Sequence, residues 1–383
     1  MAHTRIKKIV HGGYGLAFDS GKTILLPYTA PGDLVEYRIV RKKKNTYFAN
    51  YTKILEPSPM RVEPPCPLFE RCGGCHFQHI SYEDEIAIKE QIVKESLERI
   101  GRIKTEIAAT IPSPERFGYR NQAILKASRG KGIGFFRRES REIVPFPEGQ
   151  CLLLPERARE LIADIPDSSL PDNGDVRVRI DYENNVHFWG LRGIKGPEEV
   201  IMKAGGFFYP IHPTSFFQVN RFLVDKMISL IRSLPLKVRL RLLDLYCGVG
   251  FFSFPMSRMV VEGLGIEKDR NAYESAIRGA KENKIINIVF KNRSVEEEIN
   301  RLRDYDLMIV DPPRTGMAPG VLNGIIRIRP KELIFISCDP PTLARDAQKL
   351  IETGYTLAGV YIIDLFPATY HTETVALFRR GYY

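Results

Sequence analysis

Between residues 239 and 380, short apolar runs alternate with helical patterns, and no other feature of the chain limits its fold so tightly. The runs are Leu242-Leu243-Asp244-Leu245, Gly263-Leu264-Gly265-Ile266-Glu267, Ile288-Val289-Phe290, Asp306-Leu307-Met308-Ile309-Val310-Asp311, Leu333-Ile334-Phe335-Ile336, Val360-Tyr361-Ile362-Ile363 and Thr374-Val375-Ala376-Leu377-Phe378. Strands separated by helices form a sheet covered on both faces, so these seven predict a doubly wound α/β layer. The loop before the last run is too short for a parallel crossover, and the seventh strand is therefore expected to be antiparallel. Ligands in such sheets collect at the carboxyl ends of the strands.

Polar chemistry sits at those ends. The fourth run passes into Asp311-Pro312-Pro313-Arg314, the fifth into Ser337-Cys338-Asp339-Pro340, and His371-Thr372-Glu373-Thr374 leads into the seventh. All three would open on one pocket mouth. An isolated Cys at a strand end is more often a small packing residue, but here Cys338 has carboxylates for neighbours and is a candidate nucleophile. The first run continues as Asp244-Leu245-Tyr246-Cys247-Gly248-Val249-Gly250-Phe251-Phe252-Ser253. Gly248 and Gly250 permit a tight turn that brings backbone N–H groups close to a ligand, and Glu267 ends the next strand, where a carboxylate can accept from both ribose hydroxyls. Together they specify an adenosine pocket. Ser253 replaces the third glycine of the dinucleotide fingerprint, which argues against pyrophosphate.

Were the adenosine pocket to hold a methyl donor, as the family resemblance given below implies, a thiol and a carboxylate base beside it would imply a definite reaction. Carbon-5 of a pyrimidine is a poor nucleophile until a thiolate adds to carbon-6; a base must then take the carbon-5 proton so that the thiol can leave. Glu373 is the candidate base.

The chain has 383 residues, 44% of them apolar, and 56 Lys and Arg against 46 Asp and Glu give a formal +10. That charge attracts polyanions, nucleic acid first. No segment approaches the ~20 apolar residues that span a bilayer and the start lacks a signal core, so no membrane partner and a cytoplasmic location are expected. Residues 5 to about 55 read as short strands with Gly and Pro punctuation, a small β-barrel. Its run Arg41-Lys42-Lys43-Lys44, followed by Tyr47-Phe48, suits single-stranded nucleic acid. A Pro-rich stretch closes the barrel, and Ser81-Tyr82-Glu83-Asp84 caps a helix with Ile86, Val93, Leu97 and Ile100 on its apolar side. From about 111 to 210, basic and aromatic residues alternate and predict a second surface for RNA. The expected units are 1–56, 57–210 and 211–383.

Cys66-x5-Cys72-x2-Cys75 and the remote Cys151 can close a four-ligand site; spacing alone leaves zinc and an iron–sulfur cluster open.

The Gly248–Gly250 loop resembles motif I of class I S-adenosylmethionine methyltransferases. With Ser215-Phe216-Phe217-Gln218-Val219-Asn220, Asp311-Pro312-Pro313-Arg314, Ser337-Cys338-Asp339-Pro340 and His371-Thr372-Glu373-Thr374-Val375, the chain resembles the RNA uracil-C5 methyltransferase family. The resemblance implies a seven-stranded Rossmann-like catalytic domain, an N-terminal OB-like TRAM barrel and a central α+β domain. It implies Cys338 as nucleophile, Glu373 as base, and Gln218, Tyr246, Glu267 and Asp311 lining the S-adenosylmethionine and uracil pocket. It further implies a 4Fe-4S cluster on Cys66, Cys72, Cys75 and Cys151. The product would be 5-methyluridine in structured RNA, with 23S rRNA as the expected substrate and the T-loop of tRNA as the alternative. A non-catalytic RNA-binding protein is the alternative of another class. The expected oligomeric state is monomeric.

Overall fold

The computed structural model describes residues 2–147, 151–236 and 239–381. All seven apolar runs become strands: Leu240–Leu245, Val260–Glu267, Ile288–Asn292, Leu307–Val310, Glu332–Ser337, Tyr355–Ile363 and Glu373–Arg380. The four residues of Leu307–Val310 are all buried, as a parallel strand covered on both faces requires. Glu373–Arg380 lies between Glu332–Ser337 and Tyr355–Ile363 and runs antiparallel to both. This reversal matters for the site. The beginning of an antiparallel strand lies beside the carboxyl ends of its parallel neighbours, so Glu373 reaches the pocket mouth.

An eighth strand, Ala109–Ile111, joins the sheet parallel to Tyr355–Ile363. The helix Tyr82–Arg99 likewise packs on the catalytic helix Pro340–Glu352. Both come from the stretch 57–210, so this part of the chain clasps the catalytic sheet as well as forming its own. The helix begins where the capping sequence puts it, Ser81 accepting from the Asp84 N–H. Its buried face is turned from the expected one: Ile88, Ile92, Val93 and Leu97 are inside with Glu85 and Lys89, whereas Ile100 is 42% exposed. Two charged residues can face inward because a loop 275 residues away supplies Asp364.

Residues 2–56 form a six-stranded sheet around Ile24, Leu26, Val35 and Ala49. The hairpin with Arg41 to Lys44 is exposed; the Arg41 guanidinium lies 4.2 Å from the Phe48 ring centre. A five-stranded antiparallel sheet follows, with Gln122–Ser128 and Gly174–Ile180 at its centre. Two of the basic residues expected to face RNA there are tied into the fold. Arg116 donates to the carbonyls of Phe77 and Ile80 and to Glu85. Arg138 stacks on Tyr14 at 4.2 Å and donates to the Gly12 carbonyl, tying this region to the barrel. Lys126, Arg129 and Arg137 pair with Asp175, Asp172 and Glu142.

Candidate active site and thiol cluster

Strand register brings the nucleophile and base together. Ser337 pairs with Thr374 and Ile336 with Val375. Cys338 and Glu373 are the next residues beyond that last pair, near enough for the Glu373 charge to act on the thiol. Asp311 follows the neighbouring strand, and its N–H points at the Leu245 carbonyl at the limit of bonding distance, 3.5 Å. Burial pushes the Cys338 thiol up to about 12, with the Glu373 and Asp311 charges adding and Arg314 opposing. Glu373 is buried, and burial followed by the Asp311 charge raises its carboxyl well above the ordinary value, again against Arg314. Asp311 is pushed up to about 7 by burial and by Asp244. Three acidic groups thus crowd one spot, with Arg314 as the cation that favours the ionised forms of Cys338 and Glu373. Such strongly raised groups, gathered with a specific charge partner, mark functional sites. The tetrad Asp311-Pro312-Pro313-Arg314 contained this arginine, but sequence reasoning gave it no role.

Cys338 precedes a helix start. Asp339 caps Pro340–Glu352 by accepting from the Thr342 N–H at 3.0 Å, and a helix N-terminus favours a thiolate. Asp339 also meets His11 of the N-terminal barrel, Nε2 to Oδ2, at 3.1 Å. Burial works to raise Asp339, yet the His11 contact and the Thr342 bonds outweigh it and hold the carboxyl below its usual value.

The adenosine side is equally built. Gly250 has φ +82°, and a Cβ there would come within 2.5 Å of the Phe254 ring, so only glycine fits. Tyr246 takes φ +61°, a strained conformation for a non-glycine residue, and its hydroxyl donates to Glu296 at 3.2 Å. Glu267 accepts from the Gly248 N–H at 3.0 Å and the Asp269 N–H at 2.7 Å. Ser253, in the place of the third glycine, donates to Asp244. Gln218 is buried, in a segment held by Asn121 and Gln122, which donate to the carbonyls of Gln218 and Phe217. Cys247 is buried beneath the loop.

Burial also pushes Asp244 up to about 7. A carboxyl raised from about 3.9 in the unfolded chain makes the folded state hold its proton more tightly, so its contribution is greatest below pH ~4 and is lost as pH rises towards 7. Asp244→Asn is expected to reduce the fall in unfolding midpoint between pH 5 and pH 8 relative to the wild type. An unchanged fall would count against this assignment.

Cys66, Cys72, Cys75 and Cys151 line one small cavity with Phe69, Phe135 and Phe146. All four thiols are free, and the Gly74 N–H points at Cys72 Sγ at 3.4 Å. Burial raises Cys72, Cys75 and Cys151, the last to about 12, while the Arg120 charge favours their thiolates. Among the described residues, no three His, Cys, Asp or Glu side chains are gathered as they would be about one metal ion. No helix of the described residues is long and apolar enough to cross a membrane.

Comparison with known proteins agrees with this geometry. A profile described as tRNA (Uracil-5-)-methyltransferase matches residues 197–381. One described as the TRAM domain of tRNA (uracil(54)-C(5))-methyltransferase matches residues 2–60. An uncharacterized RNA methyltransferase of Aquifex aeolicus is 32% identical over 97% of this chain and 97% of its own. The 23S rRNA (uracil(1939)-C(5))-methyltransferase RlmD of Legionella pneumophila is 30% identical over 98% of this chain and 97% of its own. The crystal structure of Pyrococcus abyssi tRNA (uracil-54, C5)-methyltransferase in complex with S-adenosyl-L-homocysteine superposes with a TM-score of 0.77 at 25% identity, covering 98% of this chain and all of that one. With the sheet order, the glycine loop and the thiol and carboxylate at neighbouring strand ends, these matches establish that the chain belongs to the RNA uracil-C5-methyltransferase family.

Proposed function

We propose that the protein methylates carbon-5 of a uridine in structured RNA, with 23S rRNA as substrate and S-adenosylmethionine as the methyl donor. The observation that carries this reading is that Cys338 and Glu373 follow the last pair of one ladder and lie close enough, with Asp311 and Arg314, to act on one another's charge. S-adenosylmethionine supplies an electrophilic methyl group. Gln218, Tyr246, Glu267 and Asp311 would hold that donor and the target base, the Glu267 carboxylate exchanging its bond from Gly248 for ribose hydroxyls. Cys338 Sγ adds as thiolate to uracil carbon-6, its proton released to solvent, and carbon-5 becomes nucleophilic. After methylation Glu373 removes the carbon-5 proton, the carbon-6 to sulfur bond breaks, and Cys338 leaves. Arg314 favours the thiolate that begins this sequence and the carboxylate that ends it. The base must leave its stack to reach a buried carboxylate.

In the same reading, residues 1–56 form an RNA-binding barrel, 57–210 a cluster-bearing domain and 211–383 the methyltransferase domain, working as a monomer in the cytoplasm. The donor set fits a 4Fe-4S cluster. Four thiols line one small cavity, and four cysteine thiolates are the ligand set such a cluster takes. Cys66, Cys72, Cys75 and Cys151 would hold it, and its part here is to pin the fold.

Purified protein incubated with labelled S-adenosylmethionine and separated rRNA and tRNA fractions is expected to label the large-subunit rRNA. Label in the tRNA fraction alone would transfer the reading to a T-loop uridine of tRNA; the Pyrococcus protein and the matched barrel profile are both named for uracil-54 of tRNA. Protein purified without oxygen is expected to carry iron and acid-labile sulfide; a colourless zinc protein of full activity would refute the cluster.

A further inference from the structure

We propose that the outer face of the central sheet carries a phosphodiester-binding pocket, with Arg177, Arg179 and Ser215 as ligands, that holds the RNA backbone next to the target nucleotide. This rests on the reading of the substrate as RNA and adds to it a site.

The strand Gly174–Ile180 alternates in the way a half-covered strand must. Val176, Val178 and Ile180 are buried in the core of the central domain, so Arg177 and Arg179 stand on the opposite face. Their cross-strand partners there are Ile124 and Gln122 on one side and Trp189 and His187 on the other. Over this face lies a cavity of about 360 Å³, lined in part by residues 213–216. Among the described residues, three arginines line it and no Asp or Glu does.

Arg179 is the informative residue. Only 4% of it is exposed. Its Nη2 donates to Gln122 Oε1 at 2.7 Å and to the Ser215 carbonyl at 2.6 Å, but Nη1 is buried without a partner. Ser215 Oγ is likewise buried and unpartnered. Burial, then the charge of Arg177, lowers Arg179 to about 10, which still leaves it cationic at neutral pH. A buried cation without a counter-charge is costly, and an anion in the cavity removes the cost. A guanidinium fork and a hydroxyl are the donors that a phosphodiester accepts from. The wall supplied by Trp189 offers a π-face to a base. Ser215 begins the segment that contains Gln218, so a phosphate held here belongs to a nucleotide close to the one being modified.

The test uses full-length protein, bulk rRNA and a polyuridine strand, with RNA affinity measured across a salt series. Arg177→Gln is expected to weaken RNA binding roughly tenfold at low salt and to reduce the salt slope by about one. Ser215→Ala and Arg179→Lys are expected to weaken binding while the thermal shift on adding S-adenosylmethionine persists, which separates lost binding from misfolding. Wild-type affinity and slope in both Arg177→Gln and Ser215→Ala would overturn the pocket. Because the slope is read without catalysis, failure of the wild type to methylate any RNA would count against the proposed function and not against this site.

Discussion

Cys338→Ala is expected to abolish methyl transfer and Glu373→Gln to halt the reaction one step later. Without the Cys338 sulfur, carbon-5 is never activated, and no covalent complex forms with RNA. Without the Glu373 carboxylate, the adduct cannot lose its carbon-5 proton, so methylated RNA stays attached to Cys338. Removal of a general base costs about 10²–10⁴-fold in rate. Glu373→Gln should therefore accumulate an RNA–protein species that survives denaturing electrophoresis, and the Cys338→Ala/Glu373→Gln double variant should not. Turnover retained by Cys338→Ala would remove the nucleophile from the account.

The second large effect is structural. Lys89 is fully buried between Glu85 and Asp364, 2.7 Å from each, and also donates to the Phe366 carbonyl at 3.1 Å. Glu85 accepts from Arg116 at 2.9 Å and from the Ala368 N–H at 2.8 Å, and Tyr82 donates to Asp364 at 2.8 Å. The carbonyl of Ala368 in turn receives the N–H groups of His76 and Phe77, just beyond Cys75. The loop that delivers Glu373 is thereby strapped to the helix Tyr82–Arg99 and to the cysteine-bearing segment. Breaking a buried pair by removing one partner strands the other charge and costs about 3–5 kcal/mol. Lys89→Met is expected to lose stability of that order in denaturant unfolding, with activity falling as the loop loosens. Lys89→Met combined with Glu85→Gln and Asp364→Asn should recover part of it. Wild-type stability in Lys89→Met would contradict the strap.

The catalytic sheet was legible because its signals are local: apolar runs of strand length, a glycine loop whose φ values only glycine takes readily, and a last loop too short to cross over. Cys338 and Glu373 were legible as strand-end chemistry, but their closeness depends on register between distant strands. The inward turn of Glu85 and Lys89 was not legible, since a charge faces a core only when a partner waits there, and Asp364 lies far along the chain. Basic residues such as Arg116 and Arg138 read as RNA-facing for the same reason. Their carbonyl and aromatic partners come from other parts of the fold. The buried arginine on the central sheet did have a local signal. Val176-Arg177-Val178-Arg179-Ile180 alternates with period two and so assigns both arginines to one face.

Carbon-5 attack is tested most directly by the fate of the hydrogen at that position. RNA carrying tritium at uracil carbon-5, treated with the protein and S-adenosylmethionine, is expected to release one tritium to water for each methyl group gained, and Glu373→Gln should gain methyl without release. Methyl incorporation by the wild type with tritium fully retained would place the reaction on another atom and contradict the roles of Cys338 and Glu373 together.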